Sequence, residues 1–162
     1  MQNKTIPLDD KVSEVFEQYS DMVYKLALTR TKNKADADDV FQEVFLRFLK
    51  HSKEMDSEEH KKAWLIRVTI NCSKKLFDSA WFRRTTPIED NIKFNDEEKE
   101  VYFSVMELPV KYRTVIHLHY YEDMTISDIS KILKIKESTI KSQLKRARAL
   151  LKLKLKGEYD DV

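Results

Sequence analysis

Lys141, Ser142, Lys145, Arg146 and Arg148 recur at spacings that bring them to one side of a helix, while Ile140, Leu144, Ala147 and Leu151 occupy the other. Cationic side chains hold phosphates, and Arg, Lys and Ser also reach base edges in a major groove, so this set suits the reading of duplex DNA. Its apolar side needs a partner, which the preceding residues supply. Thr125 can cap the first turn of a short helix, Asp128 resembles the acidic member of a capping box, and Ile126, Ile129, Ile132 and Leu133 follow at helical spacing. Lys134, Ile135 and Lys136 interrupt the pattern, and Glu137, Ser138 and Thr139 suit a second helix start. This is the layout of a helix-turn-helix. Between Lys131 and Lys156, eight Lys and two Arg face the single acid Glu137, a net of +9 in a chain of only +2. Charge concentrated in this way is the footprint of nucleic-acid binding. A solvated Lys-rich helix is the plainer alternative, and the capped apolar helix in front of it argues against that.

A second basic block runs from His60 to Arg84, where seven Lys or Arg meet only Asp78, a net of +6, with Trp64, Trp81 and Phe82 among them. Bases hold a backbone and aromatic faces accept unstacked bases, a mixture suited to single-stranded nucleic acid. Taken singly, each Trp is as well explained as a core residue. Asp36, Asp38 and Asp39 open another segment, either as carboxylates at the positive end of a helix dipole or as an acidic docking face.

These groups must be carried by helices. One Gly and three Pro in 162 residues leave few turn-formers for a many-stranded sheet. Val12, Phe16, Tyr19, Val23 and Leu26 predict a helix from Asp10 to Thr31. Val40, Val44 and Phe48, beside Phe41, Phe45 and Leu49, predict a second over Ala35 to His51. After a polar loop from Ser52 to Glu59, a third runs from about Glu58 to Trp81. Val101, Val105 and Leu108 mark a fourth that stops near Pro109, and Val115, Ile116 and His119 a fifth. From Pro87 to Glu107 seven acids meet two Lys, a net of −5, which reads as an acidic linker between basic blocks. The expectation is an all-α fold of two small helical domains, 1–84 and 99–162, joined by a linker over 85–98.

Composition excludes several functions. The lone Cys72 forbids an internal disulfide, no apolar run is long enough to span a bilayer, and the first residues lack the hydrophobic core of a signal peptide, so a cytoplasmic location is expected. There is no glycine-rich phosphate loop, Cys pair or nucleophile motif, so no enzyme, metal, cofactor or small-molecule substrate is expected. His117 and His119 look like a ligand pair, but positions two apart point to opposite sides of a helix and suit ordinary packing.

With its parts in this order, the chain resembles the sigma-70 family of bacterial RNA polymerase sigma factors, specifically the small extracytoplasmic-function (ECF) group. The resemblance covers nearly everything from Val12 to Lys156. Ala37 to Phe45 matches the family's A-x-D-x-x-Q-[DE]-x-F signature, and Ala63 to Asn71 its W-L-x-[RK]-I-x-x-N helix. Leu108-Pro109 with Tyr112-Arg113 resembles L-P-x-x-x-R, and Thr139 to Arg148 resembles T-V-K-S-R-L-x-R-A-R. Lys75, Asp78, Ser138 and Gln143 depart from residues frequent in the family.

The resemblance implies an alternative sigma factor that binds core RNA polymerase, directs it to promoter DNA and melts the promoter, with a cognate anti-sigma factor that could hold it at the membrane. Asp38, Asp39, Gln42, Glu43 and Phe45 would dock on polymerase. Trp64, Arg67, Asn71, Lys74 and Lys75 would meet the minus-ten element, a flipped base lying against the Ser52 to Glu59 loop. Lys141, Ser142, Lys145 and Arg146 would read the minus-thirty-five element in the major groove, with Thr139 and Gln143 on phosphate. The acidic linker is also expected to screen the +9 helix until polymerase binds. A free-standing helix-turn-helix regulator is the rival reading, and it leaves the acidic-apolar and Trp-Asn helices without a purpose.

Overall fold

A computed structural model describes residues 7–79 and 96–160, with side chains described for 12–76 and 99–156. Trp81, Phe82, Arg83, Arg84 and the stretch 85–95, with most of the expected linker and its screening role, lie outside the described residues. The described residues contain helices and no strand, and the chain divides into two compact units between Thr85 and Thr86.

The first unit packs three helices, α1 (Pro7–Thr31), α2 (Lys34–His51) and α3 (Glu58–Ser79). Pro7 stands at the first helical position, where its fixed φ suits a helix and its missing N–H costs nothing, so α1 begins ahead of the expected Asp10. Two residues join α1 to α2. Lys32 adopts φ 60° and donates its N–H to the Leu28 carbonyl at 2.8 Å, and the Asn33 side chain accepts from the Asp36 N–H at 3.0 Å. Asn33 is therefore the cap of α2, a role the sequence reading did not give it. The 3.6-residue repeat turns Val23, Leu26 and Ala27 of α1, Val44 and Phe48 of α2, and Leu65 and Ile66 of α3 into one fully buried core. Each such large apolar side chain contributes about 1.5–3 kcal/mol by leaving water.

Two polar links tie α3 to α1. Arg30 is buried and donates Nε–H to Ser73 Oγ at 2.8 Å. Tyr19 donates its hydroxyl to Glu58 Oε2 at 2.9 Å, and burial, then the hydrogen bond to Glu58, push its phenol up to about 12. The same bond, helped by Lys61, lowers the Glu58 carboxyl. This fastens the start of α3, and with it the Ser52–Glu54 3₁₀ turn and buried Met55 that lead into it.

The second unit contains α4 (Asp96–Met106), α5 (Val110–Ile116), α6 (Ile126–Leu133) and α7 (Glu137–Asp160). Because α4 starts at Asp96, the acids Asp96, Glu97 and Glu98 form its first turn, where negative charge suits the helix dipole. Pro109 separates α4 from α5. Across that turn the buried Arg113 donates Nη1–H to the Leu108 carbonyl at 2.8 Å, and burial depresses its guanidinium to about 10.

The fifth helix does not continue regularly to His119. It widens into a π-turn over His117–Tyr121, closed by Glu122 N–H on the His117 carbonyl at 3.1 Å. The wider turn buries both His117 and Leu118 and leaves His119 half-exposed, its Nδ1 2.7 Å from the Met124 carbonyl oxygen. His117 stacks on Tyr121 with ring centroids 5.6 Å apart. The two histidines thus pack in different directions. Thr125 caps α6 by accepting the Asp128 N–H at 3.0 Å, and Lys134, at φ 58°, ends it. Leu108, Leu118, Ile129, Ile140 and Leu144 form the fully buried centre.

Candidate nucleic-acid interface

On α3, Trp64, Arg67 and Asn71 follow one another by three or four residues, and Lys74 and Lys75 lie three and four beyond Asn71, the spacing that stacks side chains on one helix face. Leu65, Ile66, Thr69, Ile70 and Ser73 take the opposite side into the core. The structure therefore brings the five expected minus-ten residues together. Asn71, Lys74 and Lys75 are exposed, Arg67 is half-buried, and Trp64 is half-buried with its ring edge-on to Phe48 at 5.9 Å and beside His51 at 6.0 Å. Trp64 thus combines the packing role and the exposed position that the sequence left as alternatives. The turn after α2 borders the N-terminal end of this face, where His51 pairs with Glu54 at 3.2 Å and His60 with Asp56 at 3.7 Å.

On α2, Asp39, Gln42 and Glu43 lie on one exposed stripe. Asp38 stands at its edge, paired with Lys34 at 3.2 Å, and Glu43 pairs with Arg47 at 2.8 Å. Phe45 is half-buried in a ring cluster with Phe16 at 5.1 Å and Phe41 at 4.9 Å, so it supports the stripe from the side. The stripe continues into two residues absent from the expected set. Leu46 is 56% exposed and Leu49 45%, and Phe16 of α1, 44% exposed, adds a third apolar surface. The sequence reading placed Leu49 and Phe16 on apolar lines and passed over Leu46. The signal was available, since Leu46 follows Asp39, Gln42 and Glu43 at seven, four and three residues. Carboxylates beside exposed leucines form an acidic-apolar face that would repel a phosphate backbone.

On α7, Ile140, Leu144 and Ala147 are buried while Lys141, Ser142, Lys145 and Arg146 are exposed, so four expected major-groove residues share one outward face. Thr139 is exposed at the first turn and Gln143 is half-buried beside the face. Arg148 is exposed as well, and its Nη1–H donates to Tyr120 Oη at 3.1 Å, beside the π-turn.

Family models described as Sigma-70 region 2 and Sigma-70, region 4 match residues 15–83 and 99–151. The ECF RNA polymerase sigma factor SigM of Bacillus subtilis is 30% identical over 87% of this chain and 93% of its own length. The chain belongs to the sigma-70 family. It is an ECF-type alternative sigma factor, a transcription initiation factor whose second unit contains the helix-turn-helix α6–α7. SigW of the same organism is similar at 26% identity, covering 91% of this sigma factor and 90% of SigW. Two solved structures share the fold. The sigma factor RpoE of Bartonella quintana, crystallised with the anti-sigma factor NepR, aligns with a TM-score of 0.71 at 18% identity over 90% of this chain and 97% of that one. CnrH, solved with the cytosolic domain of CnrY, aligns at 0.70 and 20% identity over 92% and 90%.

Among the described residues of this sigma factor, no group of three or more His, Cys, Asp or Glu could hold a metal ion. No described helix is long and apolar enough to cross a membrane.

Proposed function

We propose that the first unit docks on core RNA polymerase through α2 and holds the melted minus-ten element on α3, while α7 reads the minus-thirty-five element. The observation that carries this reading is the separation of chemistry on one three-helix unit: an acidic-apolar stripe on α2 and a basic, Trp-anchored face on α3. The first suits a protein partner and the second a polyanion. Asp38, Asp39, Gln42 and Glu43 provide the charged and polar part of the docking face, Leu46 and Leu49 its apolar part, and Phe45 holds it up from the ring cluster. Asn71 contacts unpaired bases, and Arg67, Lys74 and Lys75 hold their phosphates. Lys141, Ser142, Lys145 and Arg146 contact base edges in the major groove. Promoter melting follows when contacts available only to the open strand offset the cost of unstacking.

The chain acts by recognition and catalyses no reaction of its own. It works in the cytoplasm and takes a cognate anti-sigma factor as a further partner. RpoE, crystallised with the anti-sigma factor NepR, and CnrH, solved with the cytosolic domain of CnrY, share the fold and support that pairing.

Run-off transcription with purified core polymerase, with and without this chain, on a pool of promoter fragments tests the reading. Initiation should depend on the chain and fall when Asn71 or Arg146 is replaced by Ala. Duplex binding with no polymerase-dependent initiation would instead favour a free-standing regulator.

A further inference from the structure

The face of α7 assigned to base reading has a neighbour that none of the roles above uses. Lys111 and Tyr112, in the first turn of α5, stand across an open groove from Ser138, Thr139, Ser142, Gln143 and Arg146 of α7. The groove has a volume of about 260 Å³. Lys111 is exposed, and its Nζ lies 5.1 Å from the Tyr112 ring centroid, an attraction that favours positions of the ammonium beside the groove. Three hydroxyls of α7, the Tyr112 phenol and two cations thus border one small space. The Gln143 side chain lines the wall of the groove, where its NH2 group can add a further donor. Such a collection of donors and positive charge fits a phosphate group, and its position beside the exposed face of α7 is where a DNA backbone runs when a helix enters the major groove.

We propose that this groove is a backbone clamp for promoter DNA, in which Lys111 holds one phosphodiester and thereby fixes the register of α7 on the bases. The inference rests on the reading of α7 as the minus-thirty-five helix and adds Lys111 and Tyr112, from a different helix, to its contacts. Lys111 is a positioning residue: it neutralises a phosphate without distinguishing sequences. Tyr112 and Thr139 supply hydroxyl donors to the same group. Arg146 stands at the border between the clamp and the base-reading face.

A held phosphate releases condensed counterions when it binds, so the salt dependence of affinity counts such contacts, about 0.9 in the slope of log K against log salt for each. The test uses holoenzyme assembled from the full chain and core polymerase, titrated onto a promoter duplex and onto duplexes with single base-pair changes in the minus-thirty-five element. Lys111→Ala should lower the slope by about 1, so that the drop in affinity between about 50 and 200 mM salt becomes about threefold smaller than in the wild type. Its loss of affinity should be the same factor on every sequence variant. Lys111→Arg should keep the wild-type slope, and Tyr112→Phe should weaken binding without changing the slope. Arg146→Ala, in contrast, should change the ranking of the sequences. An unchanged slope in Lys111→Ala, or an altered ranking of sequences, would overturn the clamp while leaving the reading of α7 intact. A wild-type holoenzyme indifferent to changes in the minus-thirty-five element would overturn that reading and the clamp with it.

Discussion

The N-terminal unit distributes its candidate contacts over two helices, α2 and α3, whereas the C-terminal unit gathers its own onto α7 and its flank. The cores differ in the same sense. In the first unit, three helices of 25, 18 and 22 residues supply a fully buried apolar centre from Val23, Leu26, Val44, Phe48, Leu65 and Ile66. In the second, a helix of seven residues, a π-turn and a helix of eight residues bury Arg113 and His117 beside Leu118, Ile129 and Leu144. Long helices leave whole faces free for separate partners. Short elements need polar fastenings to set one recognition helix, and those fastenings make the unit sensitive to losses that a purely apolar core would not feel.

The sharpest way to break this comparison is to empty each core. Phe48→Ala should cost the first unit about 3–5 kcal/mol, and Leu144→Ala should cost the second about 2–5 kcal/mol, read by denaturant unfolding with hydrogen exchange resolved by helix. Exchange should quicken in α1 to α3 for the first variant and in α4 to α7 for the second. Unchanged protection in the affected helices would contradict the assignment of these side chains to the cores.

The next largest effect falls on recognition. If Arg146 reads a guanine edge, Arg146→Ala should cost about 1–3 kcal/mol of promoter affinity and relax specificity at one base pair. A uniform loss across sequences would move Arg146 to the backbone.

A smaller effect separates the fastenings of the first unit from its core. Tyr19→Phe removes one hydrogen bond to a carboxylate and should cost about 1 kcal/mol. Because the folded phenol is held up to about 12 and the unfolded one titrates near 10, the contribution of Tyr19 is complete below pH 10 and is lost as pH rises toward 12. The variant should lack this part of the alkaline loss, which chemical denaturation across pH 9 to 12 would measure. The smallest effect is a gain. In a chain with a single glycine, Lys134 adopts φ 58° at the end of α6, and Lys134→Gly should raise the stability of the second unit by roughly 1 kcal/mol. An unchanged or lower melting temperature would contradict it.

Long amphipathic periods made α1, α2 and α3 legible in the sequence, and the Thr125 cap made α6 legible, because both signals are local. That Lys141, Ser142, Lys145 and Arg146 share an outward face of α7, and Arg67, Asn71 and Lys74 one face of α3, could be read from spacing alone. The π-turn was not legible: Val115, Ile116 and His119 suit a regular helix, and only tertiary burial of His117 and Leu118 together selects the wider turn. The same holds for the hydrogen bond from Arg148 to Tyr120, which joins residues 28 apart in the chain. Leu49 was masked by a different habit, since apolar residues at helical spacing are read as core, and Leu46, on neither apolar line of α2, was passed over. The exposure of Leu49 follows from three helices being too few to cover both apolar lines of α2. The groove formed by Lys111 and Tyr112 joins residues almost thirty positions from Ser138, a proximity no local pattern encodes.

The separation of docking from DNA binding on one unit is tested most directly by measuring core-polymerase affinity for Leu46→Glu and Asn71→Ala side by side, together with promoter opening by each. Leu46→Glu should lose affinity for core polymerase, and opening with it. Asn71→Ala should bind core polymerase as the wild type does and fail to open the promoter. Equal affinity of both variants for polymerase, or loss of polymerase binding in Asn71→Ala, would contradict the assignment of the two faces.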